Sequence, residues 1–291
     1  MALDLKTFSA RVRVTDGAVG TALQGRGLLQ GKCPEQVNLE APEVMEEIAR
    51  SYVQAGSEVL LTNSLNAHRP GLASYGLARR AAEIARRAVE IARRAAEGTA
   101  ARVFGSFGPS GSLLLMEQTT EAELAAAFAE TASGLAAGGA EAIVLETFND
   151  LDEARIAVTA VQSVCELPIV LSMAFAFGPQ RMATMMGQTP EDLAVLAASC
   201  GIAAIGANCG VGPDLAVGLA RRLRLASPLP VWIKPNAGLP VLREGRTVFP
   251  VGPQEFAGYA PAIRDAGGNF IGGCCGTGPD HIRAIRRALG L

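Results

Sequence analysis

Histidine is nearly absent from this chain. His68 and His281 are the only two, and they do not share metal-ligand spacing. No serine sits in a nucleophile-elbow sequence, so a histidine-based triad has little to stand on, and both histidines read as ordinary structural or surface residues. Lysine is as scarce, with Lys6, Lys32 and Lys234 against a background of arginine. The 26 basic and 28 acidic residues leave a formal charge of -2, which gives no electrostatic reason to expect nucleic acid or an anionic membrane; small molecules are the expected partners. Long apolar runs are missing too. The longest charge-free window, Leu193 to Pro213, has the length of a membrane span, but Gly201, Gly206, Asn208, Gly210 and Gly212 interrupt it, and a helix, a turn and a buried strand fit it better. Residues Met1 to Lys6 hold neither the apolar core nor the cleavage site of a secretory signal, which points to a cytosolic protein. Six cysteines in that setting argue against a disulfide framework. No Ser/Pro-rich tract or charge block divides the chain, so residues 1–291 are expected to form one domain, with a monomer the expected state.

What the sequence does have is periodicity. Short β-rich runs at 12–15, 58–63, 102–106, 142–146, 169–173, 203–207, 231–234 and 269–272 alternate with helical patterns near 43–55, 77–97, 121–137, 151–165, 190–200, 213–225, 253–266 and 279–289. Eight such units predict a single (β/α)8 TIM barrel, an α/β fold whose strands are covered on both faces. A doubly wound sheet could be built from the same units, but it would bring fewer strand ends around one site. Here polar residues gather at the C-terminal strand ends: Asp16, Asn63, Glu146, Asn208 with Cys209, Asn236, and Cys274 with Cys275. In a barrel that end is the catalytic face. The Arg/Glu heptad echo across 76–98 reads as the solvated side of an outer helix, with Ile84 and Ile91 turned inward.

The cysteines divide into two groups. Cys33, Cys165 and Cys200 have no partner suggested by spacing and read as ordinary thiols. Cys209 lies in Gly206-Ala207-Asn208-Cys209-Gly210 and the vicinal pair in Gly272-Gly273-Cys274-Cys275-Gly276, each after an apolar run and before a helix start. Adjacent side chains of a strand point to opposite faces, so Cys274 and Cys275 can address one point only if the backbone bends between them, which the flanking glycines permit. Three thiolates would suit a zinc ion with one open position. A vicinal disulfide, a redox switch and inert buried thiols are the rival readings of the same residues.

Other residues carry chemistry in principle. Asp16-Gly17-Ala18 ends the first strand and could hold an ammonium on the carboxylate and a carboxylate on the following backbone N–H groups. Glu146 closes a strongly apolar strand, where an unpaired carboxylate costs several kcal/mol, so it needs an arginine or another set of donors. Asn63 and Asn236 stand at strand ends as pocket hydrogen-bonders or as turn formers. The glycine-rich segment 105–111 lacks a P-loop lysine and is expected to wall the pocket.

Taken together, Gly206-Ala-Asn-Cys-Gly210 with Gly272-Gly-Cys-Cys-Gly-Thr-Gly-Pro-Asp-His-Ile282 resembles the zinc motif of the homocysteine S-methyltransferase family, nearest the homocysteine-binding N-terminal domain of cobalamin-dependent methionine synthase. Asp16-Gly-Ala-Val-Gly-Thr21 is similar to the family's DGAxGT segment and Pro235-Asn-Ala-Gly-Leu-Pro240 to its PNAGLP segment. Thr62-Asn-Ser-Leu-Asn-Ala67 resembles TNTFxA with Ser64 and Leu65 as departures, which puts the aromatic contact in doubt. The resemblance implies Zn2+ on Cys209, Cys274 and Cys275, and a homocysteine pocket including Asp16, Gly17, Ala18, Asn63, Glu146, Asn208 and Asn236, with Asn236 a temporary oxygen ligand before substrate arrives. It implies methyl transfer to homocysteine, giving methionine, from S-methylmethionine, S-adenosylmethionine or a methylated corrinoid protein. A zinc-containing barrel serving as a structural subunit or metal sensor is the non-enzymatic alternative, and it requires a closed four-ligand site.

Overall fold

The computed structural model describes residues 3–29, 31–111, 119–243 and 246–291. Its strands in chain order are β1 Arg13–Val14, β2 Val59–Leu61, β3 Arg102–Phe107, β4 Ala142–Phe148, β5 Ile169–Met173, β6 Ala204–Asn208, β7 Val231–Lys234, β8 Val241–Arg243, β9 Arg246–Val248 and β10 Gly268–Ile271. Eight of them form one sheet in the order β1-β10-β7-β6-β5-β4-β3-β2, every pair parallel. A parallel bridge between Thr15 and Val59 brings the two edges together, so the sheet is a barrel. The strands alternate with surrounding helices, which makes the fold the (β/α)8 barrel expected from the periodicity.

Inside, the two-residue repeat of the strands sorts side chains into layers. Val59 and Leu61, Phe104, Val144, Val170, Ala204, Trp232 and Phe270 form a buried interior cluster. Leu5 and the partly buried Phe8, from the helix Leu5–Phe8, close it from below. Trp232 and Phe270 rings lie 5.2 Å apart and Phe8 and Phe270 6.1 Å, so aromatic bulk fills the lower barrel. Each such buried side chain contributes about 1.5–3 kcal/mol relative to exposure. One repeat further toward the C-terminal strand ends the same faces carry Ser106, Glu146, Ser172 and Lys234, with Asn208 two repeats beyond Ala204. The barrel therefore has an apolar floor under a polar layer.

The outer helices follow local rules. Thr120 with Glu123 and Thr189 with Asp192 make capping boxes, and Gly56, Gly139 and Gly201 end their helices in the left-handed region. In the helix Ala81–Ala96, Ile84 and Ile91 are buried while Arg86 and Arg87 pair with Glu90 on the outside.

Some boundaries differ from expectation. The 77–97 pattern opens with a 3-10 turn at Ala78–Arg80 before the α-helix. The 253–266 pattern is two helices, Pro253–Gly258 and Ala260–Asp265, because Pro261 has no N–H to give to the preceding turn and its ring crowds the carbonyl four residues back. The β8–β9 hairpin and the short helices Val19–Gly25, Val37–Glu40 and Arg69–Ala73 were not expected. No helix among the described residues is long and apolar enough to cross a membrane.

Candidate metal centre and adjoining pocket

Strand order explains how distant cysteines meet. β7 lies between β6 and β10, so the segment that continues β7 is a spacer with a cysteine loop on either side. Backbone bonds draw both loops onto it. Cys209 N–H donates to Lys234 O at 3.1 Å and Asn236 N–H to Val211 O at 2.9 Å; on the other side Cys274 N–H donates to Pro235 O at 2.7 Å and Ala237 N–H to Cys275 O at 2.9 Å. Cys209 adopts φ 58°, in the left-handed region, which turns the chain sharply at the end of β6. The required bend at the vicinal pair is made after β10 ends, with Thr277 N–H closing a turn onto Cys274 O at 3.1 Å and Gly276 at φ 83°.

The three Sγ atoms lie within 4.8 Å of one another, the one such group of metal-ligating side chains among the described residues. Cys209 Sγ and Cys275 Sγ are 3.9 Å apart. A tetrahedral ion with metal–sulfur bonds of about 2.3 Å sets its sulfurs about 3.8 Å apart, so the cluster fits such an ion. Its protonation behaviour agrees. Hydrogen bonds from the Cys274 and Cys275 thiols pull Cys209 down to about 3. The bond to Cys209 in turn pushes Cys275 up to about 11 and Cys274 well above the ordinary thiol range. These opposed shifts disfavour ionising all three sulfurs together, and a divalent cation is what would let them do so. Asn236, 4% exposed, keeps Oδ1 without a hydrogen-bond partner, an acceptor left over beside Cys209.

Asn208, also buried, is fixed beside the sulfurs. Its Oδ1 accepts from Thr147 N–H at 2.9 Å and Ser172 Oγ at 2.7 Å; its Nδ2 donates to Thr147 Oγ1 at 2.7 Å and lies 4.0 Å from Cys274 Sγ. Thr147 sits at φ 66°, a left-handed conformation that these bonds hold in place.

A cavity of about 170 Å³ adjoins the cluster, bounded by Gly17 and Ala18, Glu35, Asn63, Glu146, Lys234, Cys274 and Cys275 among others. Ser106 Oγ donates to Glu146 Oε1, and burial pushes the Glu146 carboxyl up while Lys234 pulls it down. Asp16 is not on the cavity wall but is bonded to Lys234, which is. Its Oδ1 accepts from Lys234 Nζ and its Oδ2 from Leu61 N–H at 2.7 Å, and burial lifts it above the ordinary carboxylate range against the pull of Lys234. Gly17 is a close-approach site: a Cβ there would meet Thr277 Oγ1 at 2.8 Å and Tyr52 Cε1 at 2.9 Å. Ala18 N–H is used by Thr277 O at 3.2 Å. Asn63 Nδ2 donates to Pro34 O at 2.7 Å and Asn38 Oδ1 at 3.0 Å, tying the loop after β1 to the loop after β2.

The expected residues fall into two neighbouring groups, Cys209, Cys274 and Cys275 with Asn208 and Asn236, and a cavity wall that includes Gly17, Ala18, Asn63 and Glu146, while Asp16 is not on that wall and reaches it through Lys234. The segment 105–111 stands behind the cavity rather than on it; Ser106 reaches it through Glu146. Two residues were missed. Glu35, 1% exposed, accepts from Asn66 N–H at 2.7 Å with Oε1 while Oε2 has no partner, and burial raises it. Lys234 is the other; its place two residues after Trp232 on an inward face was the signal. His68 is buried, accepting from Gly71 N–H at the start of its helix, and His281 Nε2 is 3.1 Å from Val251 O, both structural positions.

Comparison with known proteins places this geometry. Residues 13–289 match the model of the family described as homocysteine S-methyltransferase. The methionine synthase of Mycobacterium leprae (strain TN) is 34% identical over 304 residues, taking in 98% of this chain and 25% of that protein. The methionine synthase of Mycobacterium tuberculosis (strain ATCC 25618 / H37Rv) matches with the same identity and coverage. The chain spans about a quarter of the length of these curated relatives. The metallated form of the homocysteine methyltransferase MmuM from Escherichia coli has the same fold, with a TM-score of 0.81 at 24% identity over 97% of this chain and 98% of that one.

Proposed function

The chain belongs to the homocysteine S-methyltransferase family, and from that premise we propose that it methylates the homocysteine thiol, giving methionine, at a zinc ion held by Cys209, Cys274 and Cys275. The observation that carries the reading is a cluster of three sulfurs within 4.8 Å of one another on the wall of a cavity. Three protein ligands leave a position for a fourth, and no fourth histidine, cysteine or carboxylate among the described residues joins the group. A closed structural zinc site is disfavoured on the same ground. What zinc supplies in such a donor set is removal of the acceptor thiol's proton at neutral pH, so that the sulfur is presented as a thiolate.

The chain's own residues do the rest. Glu146, held by Ser106 and facing the cavity, accepts the substrate ammonium, with Asp16, which reaches the wall through Lys234, as the second carboxylate. Asn208 stands beside Cys274 to orient it, and the unpartnered Oδ1 of Asn236 would be available to the ion as an oxygen ligand when no acceptor thiol is bound. Asn63, Gly17 and Ala18 form the wall that fixes the acceptor for in-line attack on the methyl carbon. The S–CH3 bond forms as the donor–CH3 bond breaks, and the thiol proton goes to solvent. The donor is a small sulfonium compound, S-methylmethionine or S-adenosylmethionine, or a methylated corrinoid protein, and residues 1–291 act as one domain in a reducing, cytosolic setting.

The test is metal content with binding and turnover. Purified protein should hold about one zinc per chain, and Cys209→Ser should lose both metal and homocysteine binding. Methionine formation assayed with each donor, with and without a corrinoid protein, identifies the donor. Full activity from metal-free protein refutes the reading.

A further inference from the structure

We propose that His281 is a positioning residue for the metal centre: its imidazole closes a ring of hydrogen bonds that fixes Cys275 and Asn236 in place. The inference rests on the metal reading proposed above and extends it to a residue on the helix that follows the cysteine loop.

Two of the three sulfurs are placed by the barrel itself. Cys209 N–H and Cys274 N–H bond to the carbonyls of Lys234, the last residue of β7, and of Pro235 beside it. Cys275 is tied further out, its carbonyl accepting at 2.9 Å from the N–H of Ala237, which lies beyond the end of the strand. The sheet does not brace Ala237 there; the segment 249–251 does. Val251 N–H donates to Ala237 O at 3.0 Å. Val251 and Pro250 press on Gly238, where a Cβ would meet Val251 Cγ2 at 2.8 Å, and the Phe249 side chain fills the space a Cβ of Gly276 would need.

His281, in the helix Pro279–Ala288, fastens this brace. Its Nδ1 is 3.2 Å from Gly278 N and its Nε2 3.1 Å from Val251 O. A backbone N–H only donates and a carbonyl only accepts, so the two bonds together require the neutral imidazole with its proton on Nε2. Phe256 stands edge-on to the ring at 5.6 Å and sets its plane. The circuit is closed: it runs along the chain from Cys275 to Gly278, across the imidazole to Val251, on to Ala237 and back to Cys275 O. Capping the helix uses Nδ1 alone; the bond to Val251 is the one that reaches the metal loop. Asn236 precedes Ala237 in the braced segment, so the same ring sets where its free Oδ1 lies beside Cys209.

Substitutions in the full-length protein cut the ring at different points. His281→Asn keeps an acceptor in the place of Nδ1 and loses the bond to Val251; His281→Gln keeps a donor in the place of Nε2 and loses the bond to Gly278; His281→Ala loses both. Ile285→Ala, a buried position on the same helix, loosens that helix without touching the ring. Zinc affinity is read by competition with a chromophoric chelator, and site geometry from the visible d–d bands of the cobalt(II)-substituted protein, which follow the ligand arrangement. His281→Asn and His281→Ala should bind zinc about tenfold or more weakly, the usual effect of removing a supporting group, with altered cobalt bands. His281→Gln and Ile285→Ala should lower the urea midpoint yet keep the wild-type cobalt bands and a zinc affinity within about threefold of wild type. If His281→Ala fails to fold, the Asn and Gln pair decides. Wild-type affinity and bands in His281→Asn, equal loss in His281→Asn and His281→Gln, or the same loss in Ile285→Ala overturns the positioning role and leaves the metal reading intact. Failure of the wild-type protein to bind zinc overturns both.

Discussion

Removing the Asn208 side chain tests whether the sulfur cluster depends on what stands behind it. In Asn208→Ala, Thr147 N–H, now bonded at 2.9 Å, becomes an orphaned donor and Ser172 Oγ loses an acceptor at 2.7 Å. A buried group left unpaired costs about 1–3 kcal/mol. Thr147 would also hold φ 66° with no side-chain partner to hold it there, a conformation worth about 1–3 kcal/mol of strain that can then relax and move Glu146 next to it. A stability loss of about 3 kcal/mol is expected, read as a lower urea midpoint with unchanged slope. Metal affinity should fall about ten- to a hundredfold, the usual effect of deleting a group that supports a ligand, measured by zinc competition with a chromophoric chelator. Asn208→Asp separates the two contributions. It keeps acceptors for Thr147 and Ser172 but places a negative oxygen near Cys274 Sγ, so stability should largely recover while zinc affinity stays low. Wild-type zinc affinity in Asn208→Ala would refute the support argument outright.

Two further outcomes follow from the scaffold. Burial lowers His68 from its ordinary 6.5 to about 4, so the unfolded chain takes up the proton first as pH falls. His68 therefore contributes stability that is whole above pH 6.5 and drains away down to about pH 4, roughly 3 kcal/mol in all, and urea midpoints of wild type and His68→Gln should converge across that window; a constant gap between them would count against the assignment. Gly206→Ala would push a Cβ to 2.7 Å from Trp232 Cβ and against the neighbouring strand's carbonyl, so about 3 kcal/mol of destabilisation is expected in thermal melts, and an unchanged melting temperature would contradict the packing.

Much of this architecture can be read from residue order, and the exceptions have physical causes. Apolar runs such as Ile143–Leu145 and Ile169–Leu171 announce buried parallel strands because both their faces are covered. β1 is harder, with two residues and a charged Arg13 that stacks 4.1 Å over the Phe8 ring. The β8–β9 hairpin escapes because its strands are three residues each and lie outside the barrel, where no core imposes a pattern. At the site, Cys209 and the vicinal pair could be nominated by their glycine settings, but their meeting depends on β7 entering the sheet between β6 and β10, a matter of topology that local pattern does not express. Lys234 was passed over because it looked like the polar end of a strand. Counting two residues on from Trp232, as from Phe104 to Ser106 and Val144 to Glu146, assigns it to the interior.

The aromatic plug at the base of the barrel has a kinetic consequence. With Phe8, Trp232 and Phe270 stoppering the lower end, the cavity is a blind well entered from one side. Two reactants that must pass through a single doorway form a queue: the molecule seated deepest goes in first and comes out last. Under the proposed function, and with a small sulfonium donor, steady-state kinetics should accordingly show compulsory order, with the thiol preceding the donor and the methylated product trapped until the spent donor has cleared the entrance.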